Sequence, residues 1–247
     1  LDAARSAAIA KKASVTQAPP PKPALPAGPA APLVGRKAFR NALQQAQLHL
    51  SAGNNSAAAQ VTARLLVTQP EHIEAWDMAI VAQFQNNDTT ALEQSTRDLS
   101  EKPHLQHLYA MAYGKLAVLQ NDLASARNYF EQAEEQSKKN PYALEALARL
   151  DLQQGNLESA ETNLKRFVRQ FPRHPYGHHG MATLHILNDN PKKAEDALRK
   201  SIRMCKTAEA LDDLAWLLNK RGEFAVAEKT ARDALSMNDK HAQVWDT

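Results

Sequence analysis

Residues 141–174 read PYALEALARLDLQQGNLESAETNLKRFVRQFPRH, and this stretch decides the fold. Leu144 and the Leu147-Ala148 pair recur at helical spacing, then Gly155-Asn156 interrupts the pattern. Glycine tolerates the left-handed backbone that ends one helix, and asparagine can cap the next. Ala160, Leu164 and Phe167 follow at i, i+4 and i+7, a single apolar stripe on a second helix. Pro172 closes the unit. The stretch is a helical hairpin with its two apolar faces turned toward each other.

The same grammar continues on both sides. Short breaks stand at Gly53-Asn54-Asn55, Asn86-Asn87-Asp88, Asn121-Asp122, Gly155-Asn156, Asp189-Asn190 and Gly222-Glu223. A small residue follows each one: Ala58, Ala91, Ala126, Ala160, Ala194 and Ala227, at steps of 33, 35, 34, 34 and 33 residues. No alternating run argues for strands. One hairpin cannot bury both of its faces alone, so a period near 34 predicts stacked hairpins in an all-α solenoid.

These residues resemble the tetratricopeptide repeat family. The resemblance rests on Leu144, Leu147-Ala148, Gly155-Asn156-Leu157, Ala160, Leu164, Phe167 and Pro172. It rests also on Leu211, Leu214-Ala215, Leu218, Gly222-Glu223-Phe224, Ala227 and Ala234, and on Tyr113-Gly114, Asn121-Asp122-Leu123, Ala126 and Phe130. It implies a right-handed superhelix over residues 36–247, with about six full repeats and the start of a seventh at His241-Ala242-Gln243-Val244-Trp245. Two positions depart from the family pattern: Asp151, where an aromatic is usual, and Thr62, where Phe or Leu is preferred. Trp76 reads as core when aligned with Trp245, but as groove when counted back from Ala91; the core placement is preferred.

Residues 1–35 differ from this body. Pro19, Pro20, Pro21, Pro23, Pro26, Pro29 and Pro32 fall within fourteen positions, a composition that favours an extended polyproline-like spacer. Residues 1–14 are alanine-rich and could form a frayed helix. A flexible linker is the plain reading of this tail. A ligand for a proline-binding domain is the lesser one, since no clean basic-flanked PxxP is present. Arg5, Lys11, Lys12 and Lys22 against Asp2 give it a charge of 4 − 1 = +3, the whole net charge of the chain. The body is left with 26 basic and 26 acidic residues. A nucleic-acid binder would concentrate positive charge on its folded part, so that class is excluded.

Catalytic signatures are missing: there is no GxxxxGK[ST], HExxH, GxSxG or GxGxxG after a strand, and the expectation is a protein that is not an enzyme and carries no cofactor. The pairs Glu134-Glu135 and Asp212-Asp213 read as solvated helix faces. His174, His178, His179 and His185 crowd together, but Pro175 and Gly177 intervene and no Asp, Glu or Cys within the run completes a set, so no metal site is expected. Cys205 stands alone, which excludes an internal disulfide, and reads as a small residue. No apolar run approaches the roughly 20 residues of a membrane span. The start at Leu1 rather than methionine is expected of a processed or trimmed piece.

The family resemblance places ligands on the concave face of the first helices. Carried over unit by unit, that face holds Tyr142, Glu145 and Arg149, then Tyr176, His179 and Thr183, then Glu209, Asp212, Trp216 and Asn219. The chaperone-tail clamp known in some members is absent, since the equivalent positions hold Glu145, Arg149, Gly180, Glu209 and Asp213. A basic or amphipathic protein segment is the expected partner. The tether followed by repeats is similar to bacterial cell-envelope scaffolds, which favours the periplasm or envelope over the cytoplasm. The alternatives are a regulatory or targeting region cut from a larger enzyme, and self-association through the open end near Trp245.

Overall fold

Six turns of identical geometry organise the chain. In the computed structural model, which describes residue 33 and residues 35–243, with side chains to residue 237, twelve α-helices follow one another. They are α1 (Arg36–Ser51), α2 (Asn55–Thr68), α3 (Ile73–Gln85), α4 (Thr89–Ser100), α5 (Gln106–Leu119), α6 (Leu123–Gln136), α7 (Pro141–Gln154), α8 (Leu157–Gln170), α9 (Pro175–Leu187), α10 (Pro191–Met204), α11 (Ala208–Lys220) and α12 (Phe224–Gln243). No strand occurs among the described residues. The tail lies outside them except at Leu33 and Gly35. So do the last residues of the expected seventh unit, whose first three fall on the final turn of α12.

Within each hairpin the first helix ends on one residue with positive φ: Gly53, Asn87, Asn121, Gly155, Asp189 and Gly222. The following amide then donates to the carbonyl five residues back. Asn54, Asp88, Asp122, Asn156, Asn190 and Glu223 do this at 2.8–3.0 Å. This is the Schellman closure, which satisfies an orphan carbonyl and reverses the chain. Asp88 and Asp122 then cap the next helix, their carboxylates accepting from the amides of Ala91 and Ser125.

Five residues after each left-handed residue lies a buried position on the second helix. It is occupied by Ala58, Leu92, Ala126, Ala160, Ala194 and Ala227. In the second hairpin this corrects the sequence reading. Leu92 is fully buried there, while Ala91, the small residue nominated by spacing, is only half-buried. Counted from Leu92 the register ambiguity disappears: Trp76 is buried, its indole N–H donating to Pro70 O at 2.8 Å. With Ile80 and Leu92 both large, α3 packs as closely on α5 as on its own partner α4. Elsewhere the close approach is preserved. A Cβ added at Gly114 would meet the Phe130 ring at 2.5 Å.

Each second helix packs on the first helix of the next hairpin, so the hairpins stack in chain order. At three junctions (α1 with α3, α3 with α5, α7 with α9) successive first helices also touch, while no two successive second helices pack as closely. The first helices therefore form the inner wall.

Two polar positions that looked like departures are structural. Thr62 is buried and returns its hydroxyl to the carbonyls of Ala58 and Ala59. Asp151 is wholly buried and accepts from Arg127 Nη2 at 2.5 Å, Ser159 Oγ at 2.8 Å and Asn163 Nδ2 at 2.7 Å. Arg127 lies on α6, so this buried carboxylate ties the third hairpin to the fourth. Glu134, read as solvated, is also buried, with Arg166 of α8 as its partner, because the α6–α8 cleft encloses it.

Replacing Ala160 with Leu should overpack the α7–α8 crossing by about 1–3 kcal/mol, and Leu92→Ala should cost about 2–5 kcal/mol. Urea titrations read both; an unchanged midpoint for Ala160→Leu contradicts the packing. Arg127→Leu should cost about 3–5 kcal/mol by stranding a buried charge. The double variant with Asp151→Leu should recover most of that, as thermal melts of the pair will show.

Candidate functional site

The inner wall is built from residues that repeat along the first helices. At i, i+4 and i+7, which lie on one helical stripe, stand Asp77, Val81 and Phe84 on α3. Met111, Lys115 and Val118 follow on α5, and Glu145, Arg149 and Leu152 on α7. His179, Thr183 and Ile186 occupy α9; Asp212, Trp216 and Asn219 occupy α11. Their last members, preceded by Leu50 on α1, make a row at 34-residue spacing: Leu50, Phe84, Val118, Leu152 and Ile186, all apolar and half-buried. Sequence reasoning named only the sixth member, Asn219. The apolar row was findable by counting eight residues back from each buried small position, once Leu92 replaces Ala91.

Beside the apolar row runs a chain of charges. Arg149 is central: its Nε donates to Glu145 at 3.0 Å, its Nη1 lies 3.7 Å from Glu209, and its guanidinium sits 4.5 Å above the Tyr176 ring. Lys115 rests 4.4 Å over the Phe84 ring, within electrostatic reach of Glu145 and Asp77. Both carboxylate oxygens of Asp77 accept from Asn140 Nδ2, at 3.0 and 3.1 Å, although 63 residues separate them. Asp77 belongs to the second hairpin and Asn140 caps the fourth, just as Arg149 and Glu209 join the fourth to the sixth. Contacts that skip a hairpin are made only across a concave face. The groove is narrow and partly occupied by its own side chains.

The ten sequence-nominated residues divide accordingly. Glu209, Asp212 and Asn219 are exposed, and Arg149 is exposed within the cluster. Tyr142, Glu145, Thr183 and Trp216 are half-buried, Trp216 with Lys220 Nζ 5.5 Å above its ring. Tyr176 and His179 are buried. His179 Nε2 lies 3.0 Å from Asp213 Oδ2. Burial works against its charge, but the bond to Asp213, with Glu209 behind it, prevails and raises its pKa. Asp213 is thereby taken from the solvated face assigned to it by sequence. Tyr176 packs edge-on to Phe167, and its hydroxyl is buried without a hydrogen-bond partner. His174, at the N-cap of α9, meets Phe167 and Tyr142 edge-to-face. Among the described residues no group of three potential metal ligands forms, and no helix is long and apolar enough to cross a membrane.

A groove lined by aromatic, apolar and mostly acidic side chains on successive first helices defines a class: a helical-repeat protein with a concave inner face. Residues 117–184 match a tetratricopeptide repeat model, and residues 207–239 match a second one. Over those two segments the repeat unit is similar to the tetratricopeptide repeat. The crystal structure of TTC0263, a thermophilic TPR protein in Thermus thermophilus, is similar with a TM-score of 0.54 and 17% identity, over 77% of this chain and 98% of that one. The crystal structure of the APC/C hetero-tetramer Cut9-Hcn1 matches with a TM-score of 0.46 and 13% identity, over 80% of this chain, which spans 46% of that one. The TTC0263 likeness shows a shared fold. No curated protein matches the sequence.

Two groove charges set a pH dependence. Burial, with Glu74 adding to it, raises the Asp77 carboxyl from 3.8 to about 7 despite the Asn140 bond. The folded chain then holds a proton that the unfolded chain has released. Stability contributed here is full below pH 3.8 and falls as pH rises, by up to about 1.4 kcal/mol per unit, until about 7. Burial lowers Lys115 from 10.5 to about 8, so stability returns above pH 8. Asp77→Asn should flatten the fall between pH 4 and 7 in denaturant titrations; an unchanged slope sinks this account.

Proposed function

We propose that this chain is a non-catalytic scaffold or adaptor that binds a protein segment along its inner face. The apolar row Leu50, Phe84, Val118, Leu152 and Ile186 carries the reading. Five half-buried apolar side chains stand at one register of the repeat, and an apolar row rimmed by charge suits another protein's surface. Beside it, the carboxylates of Glu74, Glu145, Glu209, Asp212 and Asp213 outnumber Lys115, Arg149 and Lys220. A partner that places apolar side chains on the strip and Lys or Arg against the acidic rim satisfies both. Trp216 on the sixth hairpin and Tyr142 on the fourth are the half-buried amphipathic anchors. The alanine- and proline-rich segment before the repeats supports a tethered role, as in assembly of a bacterial envelope or secretion complex.

Selection from a displayed peptide library should enrich segments with apolar residues interleaved with Lys and Arg. The charge-reversed variant Glu74→Lys/Glu209→Lys should lose that preference, and Trp216→Ala should weaken binding. Both glutamates are exposed, so the fold should survive. Enrichment that is the same for wild type and the charge-reversed variant ends the groove reading.

A further inference from the structure

We infer that the basic, proline-rich tail of this chain, residues 1–32, occupies the chain's own groove until a partner displaces it. The inference rests on the groove reading above and names its resident occupant. Charge is the first ground. All of the chain's +3 lies in the tail, at Arg5, Lys11, Lys12 and Lys22 against Asp2, while the groove carboxylates Glu74, Glu145, Glu209, Asp212 and Asp213 outnumber the groove cations Lys115, Arg149 and Lys220 by five to three. Attraction between a cationic segment and an acid-rimmed concavity is strengthened because the low-dielectric walls focus the field.

Chemistry is the second ground. Proline-rich segments dock on aromatic-lined grooves, since they lose little entropy on binding and leave their carbonyls free to accept. The groove offers the half-buried rings of Tyr142 and Trp216. Reach is the third. The tail enters the fold at Leu33, whose amide donates to Thr68 Oγ1 at 2.8 Å at the end of α2, next to the helix that carries Glu74 and Asp77. At ~3.1 Å per residue, an extended tail would carry Lys22 ~31 Å from Pro32, a length of about three helix layers. At the same rise, the ten further residues to Lys12 would add ~31 Å, length enough to bring it toward the carboxylates of α11.

The test places a nitroxide on the full chain at Ser14→Cys, in a Cys205→Ser background, and reads amide intensities with the label oxidised and reduced. Residues 209–216 of α11 should lose intensity in the oxidised state. They should regain it in the tail variant Lys11→Glu/Lys12→Glu/Lys22→Glu, which leaves the folded body untouched, and at high salt. Loss confined to α1 and α2, loss spread evenly over the chain, or loss that survives the charge reversal overturns the inference. So does equal loss in an isotope-labelled chain mixed with a separate spin-labelled one, which assigns the tail to a second copy. The display selection reads the groove without reference to the tail, so failure here leaves the groove reading standing.

Discussion

The close approach of two helices at a side chain of almost no size carries the architecture. Ala160 under Leu144 and Ala148, or Gly114 under the Phe130 ring, lets each hairpin close at a fixed distance. Because a left-handed residue and its five-back hydrogen bond recur at almost the same interval, every hairpin leaves its turn in the same orientation. Stacking then follows from the hydrophobic effect, since each hairpin keeps an apolar face that only the next one can cover. The inner wall is a by-product. Whatever stands eight residues before the small position is brought into line with its counterparts, and a row appears without any local instruction to form one.

The second hairpin shows what happens when the small residue is missing. Leu92 opposite Ile80 fills the crossing, and α3 shifts its weight onto α5. The same hairpin supplies Asp77, which joins the cap of α7, and Phe84, which carries Lys115. The least regular unit is thus the one from which the groove is drawn shut. Buried polar groups elsewhere hold neighbouring hairpins in register. Asp151 with Arg127, and Glu134 with Arg166, both bridge the third and fourth units on the side away from the groove.

The fold was legible because its signals are local and periodic: turn residues, small positions and helical stripes can be counted. Register failed only at Ala91, where two adjacent residues satisfied the same count and only burial distinguishes them. The site was legible in part. Helix phase alone places Glu145, Arg149 and Trp216 on the inner stripe. It does not show that Tyr176 and His179 are buried, because that depends on curvature, a property of the whole stack. Nor does it foresee Asp77 meeting Asn140, since their 63-residue separation matches no helical or single-repeat interval. Glu134 and Asp213 were misjudged for a related reason: adjacency in sequence says nothing about which neighbouring hairpin supplies a partner.

A stack joined only between neighbours behaves like a row of beads, each free to open with modest regard for those farther away. The link from Asp77 to Asn140 and that from Arg149 to Glu209 add struts across the bend. With them, stretching the spiral means breaking charged contacts as well as sliding packed helices. The span from the second hairpin to the sixth therefore resists extension more than the first hairpin does, and mechanical load applied along the stack is borne first at that unbraced end.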